Sequence, residues 1–278
     1  MSRPNTTPWL LLALPLIFFA AFFVAPMCVV AISSFVSADG DPTLANYSKV
    51  LLDQYHWDIL ALTFKLALMT TVISAILGYP LAYYLVHIVP GKVLRRICII
   101  LLILPLFTSN IVRAFGWIVL LGRRGLVNDT ALALGLMDSP MRFIGTEAGI
   151  LIGLVYINLP FIVLTVANAL GRLDGSLENA AKDLGASPAV TFWTITFPLC
   201  LPGLAAGAII VFALSVSAYV TPALLGGGRV TMFSMLIFQQ YSTVFDFNYG
   251  GALSVTLLLL TMIMIGAANR LGAAGRTA

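Results

Sequence analysis

Charge is scarce in this sequence. Only 9% of its 278 residues are Asp, Glu, Lys or Arg, and 60% are apolar, where soluble chains hold about 25% and 45–50%. No single globular core hides that much apolar surface, and no polar linker divides the chain into two domains, so a soluble architecture is excluded. Cysteine is nearly absent: Cys28, Cys98 and Cys200 stand far apart with no CxxC pair and read as buried packing residues. The two histidines, His56 and His87, have no second ligand at metal spacing and read as interface residues, so no metal site is expected. No GxxxxGK[ST], HExxH or GxSxG occurs, which leaves the chain without a nucleotide-hydrolysing loop or a recognisable catalytic set. Nor does any Asp or Glu fall inside a long apolar run. Proton-coupled transporters carry such acids, so a secondary transporter loses weight as a reading.

What is present is a series of runs long enough to cross a bilayer, for which about 20 apolar residues suffice. They cover approximately residues 9–32, 59–86, 97–113, 148–170, 203–225 and 250–268. The first exceeds the core of a cleaved signal peptide and reads as an anchor, although Ser37-Ala38 imitates a cleavage site. Pro105 marks a bend or helix end in the third run. The expected fold class is an all-α membrane protein of six transmembrane helices, forming one domain over residues 1–278 and surrounded by membrane lipid.

With an N-terminus in the cytoplasm, the inner segments carry Arg3, Lys92, Arg95, Arg96, Arg172, Lys182, Arg270 and Arg276, against Lys49, Arg123, Arg124, Arg142 and Arg229 outside. The bias is positive-inside, and the short, densely basic loop 92–96 is its best witness. Both termini are therefore expected in the cytoplasm. Lys65 and Arg113 fall near the outer ends of their runs and read first as snorkelling or structurally paired cations, with substrate contact as the alternative.

The richest segment joins the fourth and fifth runs, over about residues 171–200. Leu177, Ala181 and Leu184 recur at helical spacing and predict a short helix with one narrow apolar face. Gly185 follows where a helix end favours a left-handed residue, and Ser187-Pro188 reads as an N-cap followed by a first-turn proline. Two short helices with a sharp turn are expected. Such a face buries itself either on the chain's own helix ends or in a groove on a partner.

The order Ala180-Ala181, three residues, Gly185, nine residues, Ile195, then Pro198 resembles the EAA loop of ABC-importer permeases, whose pattern is EAA, glycine and I-x-L-P. Asn179 stands where that family has glutamate and Phe197 where it has leucine, while Glu178 keeps an acid one position earlier. Gly78-Tyr79-Pro80-Leu81-Ala82-Tyr83, Arg113-Ala114-Phe115-Gly116-Trp117 and Ser217-Ala218-Tyr219-Val220-Thr221-Pro222 are similar to the spermidine/putrescine branch. The resemblance covers nearly the whole chain. It implies a type I importer permease working with ABC ATPase subunits, a second homologous permease and a periplasmic solute-binding protein. It implies no cofactor in this chain, with ATP and Mg on partner subunits, and no nucleic acid. Glu178, Asn179, Ala180, Ala181, Asp183, Leu184 and Gly185 would then form the cytoplasmic coupling helix. A polyamine is the cargo the branch implies, with iron, phosphonates, opines and amino-acid-like solutes carried by related branches.

The fifth run is expected to line the pathway. Gly203 and Gly207 form a GxxxG pair for close helix contact, and Ser215, Ser217 and Tyr219 present hydroxyls toward its outer half. Arg113 joins them as a candidate pathway residue. The alternative for each hydroxyl is a bond to a neighbouring helix.

Overall fold

In hydrocarbon every backbone N–H and C=O needs a partner from its own segment, and the helix supplies one. The computed structural model describes residues 7–37 and 39–274; among these the regular secondary structure is helical, the helices joined by turns and short loops, with one isolated two-residue extended contact between Val36 and Pro42. Arg3, Arg276 and the Ala38 of the imitated cleavage site lie outside the described residues. Among the described residues, five helices are long and apolar enough to cross a membrane: Leu12–Ser33, Gln54–Ile88, Glu147–Leu170, Pro188–Val216 and Phe247–Arg270. A bent pair, Lys92–Phe107 with Asn110–Ala133, makes a sixth if counted as one span.

The pair has the bend or helix end expected at Pro105, but it reaches well beyond the expected 97–113 on both sides. It bends by 99°. The last regular turn before the bend, Leu104–Phe107, is tightened around Pro105, and Thr108 is extended. Proline cannot donate to the preceding turn, so the helix stops there. Arg113 consequently sits in the first turns of a new helix, Asn110–Leu121.

The chain forms two compact units. The first combines residues 1–58 with 233–278. Its long N-terminal helix widens by one residue at Ala20–Val24, where Ala25 N–H reaches back to Ala20 O; Pro26, which has no N–H to give, follows directly. A Cβ at Gly251 would stand 2.9 Å from Val30 O, so the first and last spans touch backbone to backbone. His56, 7% exposed, bonds the Tyr249 hydroxyl at 2.7 Å, as expected of an interface residue. Of the three cysteines, all expected to be buried, only Cys200 is; Cys98 is half-buried, and Cys28 is exposed on a first span that buries little of its surface.

The second unit, Ile59–Met232, holds the bundle core. Tyr79, Ala82, Leu85, Ile162, Val166 and Val211 pack there from the second, fourth and fifth spans. Small residues let the backbones approach. A Cβ at Gly203 would lie 2.4 Å from Ala169 Cβ, and one at Gly207 2.2 Å from Thr165 Oγ1. The GxxxG pair thus faces the fourth span. Lys65 pairs with Glu147 at 2.6 Å, both about half exposed, which is the structural pairing read from the sequence.

The fifth span differs from the expected 203–225 at both ends. It begins at Pro188, passes through a widened turn at Phe192–Thr196, and stops at Val216. The second short helix expected in the loop is therefore the start of this span, and the non-helical link is confined to residues 184–187. At the other end Pro222 removes the N–H that a continuous helix would aim at Ala218 O. The chain breaks ahead of it and resumes as Val220–Leu225.

Candidate functional site

The loop helix spans Gly175–Asp183 and is capped at both ends. Asp174 accepts from Ser176 N–H at 3.0 Å, satisfying one of the orphan first-turn donors. That backbone hydrogen bond, aided by the Ser176 side chain, holds the Asp174 carboxyl below its ordinary range. At the far end Gly185 takes φ +82°, with Gly185 N–H to Lys182 O at 2.9 Å and Ala186 N–H to Ala181 O at 2.9 Å. This is the paired closure of a Schellman end, which needs a left-handed residue. Ser187 then caps Pro188–Thr191 through Val190 N–H at 3.4 Å. Both sequence-read stop and start signals take the geometry they imply.

The apolar face does not bury as a unit. Ala181 is 8% exposed, while Leu177 is 46% and Leu184 89% exposed. A nine-residue helix has too little length to present a whole stripe to the bundle, so its small residue turns inward and its leucines turn out. Asn179, Ala180, Lys182 and Asp183 are exposed as well. Glu178 points the other way: its Oε1 accepts from Thr196 Oγ1 at 2.8 Å and lies 3.6 Å from His87 Nε2. The helix therefore shows solvent two leucines, an amide, Lys182 and Asp183, and keeps Glu178 against the spans.

A second polar feature lies within the bundle. A cleft of about 460 Å³ is lined by Asn110, Arg113, Asn158, Ser217, Tyr219 and Thr221 among apolar neighbours. The structure thus brings together Arg113, Ser217 and Tyr219, which lie on two different stretches of sequence. Ser215 is not on the cleft wall. It is fully buried and accepts from Asn158 Nδ2 at 3.2 Å, so it positions an asparagine that is. Ser217 hydroxyl bonds back to Ala213 O at 3.0 Å. Arg113 Nη2 donates to Asn110 Oδ1, while its Nε and Nη1 are buried with no acceptor among the described residues. Buried guanidinium donors left in that state favour an acceptor-rich neighbour. No carboxylate lines the cleft.

Asn110 and Asn158 were not singled out in the sequence. Asn158 carried a signal all the same, being an amide amid an apolar run and two residues before Pro160. Asn110 becomes visible only once the third span is known to break.

Residues 70–270 match the family described as binding-protein-dependent transport system inner membrane component. The chain is 36% identical over 223 residues to the spermidine/putrescine transport system permease protein PotB of Escherichia coli (strain K12), covering 80% of each. It is 31% identical over 253 residues to the Haemophilus influenzae protein of that name, covering 88% of this chain and 86% of the relative. The inner membrane ABC transporter permease protein YdcU of Escherichia coli (strain K12) is 30% identical, over 98% of this chain and 91% of its own. Among solved structures, a chain of a bacterial ABC transporter involved in the import of the acidic polysaccharide alginate superposes with a TM-score of 0.77 at 17% identity, covering 96% of both. A chain of the MetNI methionine ABC transporter in an inward-facing conformation gives 0.55 at 21% identity, over 80% and 98%. At these identities the structural likeness speaks to the fold.

Proposed function

The chain belongs to the family of binding-protein-dependent transport system inner membrane components, and from that premise we propose that it imports a polyamine with Gly175–Asp183 as its coupling helix. It is a multi-pass inner-membrane permease subunit of an ABC importer. In the proposed assembly, ATPase subunits bind this helix from the cytoplasm, so the loop 171–187 and both termini face inward. A second permease, in the same reading a relative of this chain, completes the pathway, and a periplasmic binding protein delivers the cargo.

The observation that carries the reading is Leu184, 89% exposed at the end of a helix that caps itself at both ends. An exposed leucine of that degree on a rigid helix suits a groove on another protein. ATP and Mg belong to the ATPase subunits, and the role of this chain is mechanical. When the ATPase pair closes, a helix with fixed ends moves as one body and displaces the spans it touches. Copurification of the tagged permease with an ATPase subunit, and binding-protein-dependent spermidine uptake by vesicles holding the complex, test this. Isolation of the chain without an ATPase, or uptake indifferent to ATP, would reject it.

Arg113 favours a second reading of the cargo. A cleft with a guanidinium and no carboxylate suits a solute bearing a carboxylate or phosphonate better than a dication. Competition separates the two. Excess putrescine should suppress spermidine uptake under the first reading, whereas an amino acid or phosphonate should be the transported species under the second.

A further inference from the structure

Glu178 sits one residue before the position at which the family pattern has its acid, and on an α-helix one residue is a rotation of about 100°. Asn179 is exposed, whereas the Glu178 side chain is only 22% exposed. Its Oε1 contacts two spans at once. Thr196, 2% exposed, donates to it at 2.8 Å, and His87 Nε2 stands 3.6 Å away. Thr196 closes the widened turn Phe192–Thr196 in the fifth span, and His87 lies in the widened turn Tyr84–Ile88 that ends the second. The His87 ring is fixed by stacking on Tyr83 at 4.4 Å.

The helix has no large apolar anchor to do this work. Its one buried residue is Ala181, and both leucines face out. A carboxylate accepting from a buried hydroxyl is stronger and more directional than the contact of one alanine methyl. Widened turns also give a helix a place to change register locally.

We propose that Glu178 is a positioning residue that fastens the loop helix to Thr196 in the fifth span and stands against His87 in the second, so that motion of the helix reaches both spans through one oxygen. This rests on the reading that a motor protein grips the helix. It adds which residue passes the motion inward, and it assigns the departure at Asn179 to the outward face alone.

The test uses the whole importer in proteoliposomes, with binding protein on the periplasmic face, ATP on the cytoplasmic face and the amount of assembled complex matched between variants. Glu178→Ala and Thr196→Val should each lower solute moved per ATP hydrolysed by about tenfold while hydrolysis itself continues, as expected for loss of one charge-assisted hydrogen bond. The double variant should be no worse than Glu178→Ala alone, since that change already removes the bond that Thr196→Val removes. Glu178→Gln, which keeps an acceptor oxygen, and Thr196→Ser, which keeps the hydroxyl, should recover to within about threefold of the parent. If Glu178→Ala does not assemble, Thr196→Val against Thr196→Ser carries the same comparison. Unchanged coupling in Thr196→Val, multiplying losses in the double variant, or no recovery with the conservative changes would overturn the proposal. Leu184→Arg separates the premise: if the ATPase stays bound and coupled in that variant, the gripped-helix reading itself fails.

Discussion

A single methyl group at Gly207 probes the contact between the fourth and fifth spans more sharply than any larger change. Its Cβ would stand 2.2 Å from Thr165 Oγ1, 3.2 Å from Ile162 Cδ1 and 3.3 Å from Ile162 Cα. Unstrained heavy atoms sit at about 3.5 Å, so roughly 1 Å must be found at the hydroxyl. Thr165 Oγ1 already donates to its own helix, with Phe161 O at 2.9 Å and Ile162 O at 3.0 Å. Turning it away gives up those bonds, and moving the spans apart loosens the core around Ile162 and Val211. Overpacking of this kind costs about 1–3 kcal/mol. Replacing a helical glycine by alanine returns about 0.5–1 kcal/mol, so Gly207→Ala should lose about 1–2 kcal/mol. Thermal unfolding of the purified protein in detergent should fall by several degrees, at about 2–4 °C per kcal/mol for a chain of this size. Thr165→Ala in the same chain should restore most of it, because the clashing oxygen is gone. Gly207→Ile should not be restored, since the Ile162 backbone stands in the way. A Gly207→Ala protein as stable as the parent, or a double variant no better than the single, would refute the packing argument.

At Gly203 the close atoms are Ala169 Cβ at 2.4 Å and the Thr165 carbonyl at 3.1 Å; Gly203→Ala should destabilise comparably, about 1–2 kcal/mol after the same glycine-to-alanine gain, and Ala169→Gly rather than Thr165→Ala should relieve it, read by the same melts. Ser215→Ala deprives the buried Asn158 amide of its acceptor and should cost about 1–3 kcal/mol, whereas Glu147→Gln, at a half-exposed pair, should cost less than about 1 kcal/mol. Gly185→Val meets no neighbour within 4 Å, so its penalty is conformational, about 1 kcal/mol or more; uptake and transport-stimulated ATP hydrolysis should fall together while Gly185→Asn stays close to the parent. The Asp174 carboxyl is depressed by its cap hydrogen bonds, so its support for the loop helix is complete above the ordinary value of 3.8 and is lost as pH falls through the folded value. Amide exchange at Ser176 should accelerate below that pH in the parent and show no such step in Asp174→Asn.

Much of this architecture was legible because hydrophobic runs and turn chemistry are local signals. The Gly185 stop and the Ser187-Pro188 start each depend on a backbone preference of one or two residues, and both appear as read. The GxxxG pair at Gly203 and Gly207 likewise announced a close contact, although not with which helix. What escaped was set by tertiary geometry. Pro105 signalled a bend, yet the 99° angle that starts a new helix at Asn110 is fixed by packing. Ser215 was read as a pathway hydroxyl or as a partner for a neighbouring helix, and it bonds Asn158 of the fourth span; which side of a uniformly apolar helix faces a cleft leaves no periodic trace. Leu177 and Leu184 shared a face with Ala181 on paper, but the short helix buries only the alanine.

Cysteine labelling and cross-linking at Leu184 test the central claim most directly. In a chain with Cys28, Cys98 and Cys200 replaced and Leu184→Cys introduced, a membrane-impermeant maleimide should react in inside-out vesicles and not in intact cells. A bifunctional reagent should join the same position to an ATPase subunit. Labelling from the outside, or a complex in which position 184 cross-links to no ATPase, would contradict the account.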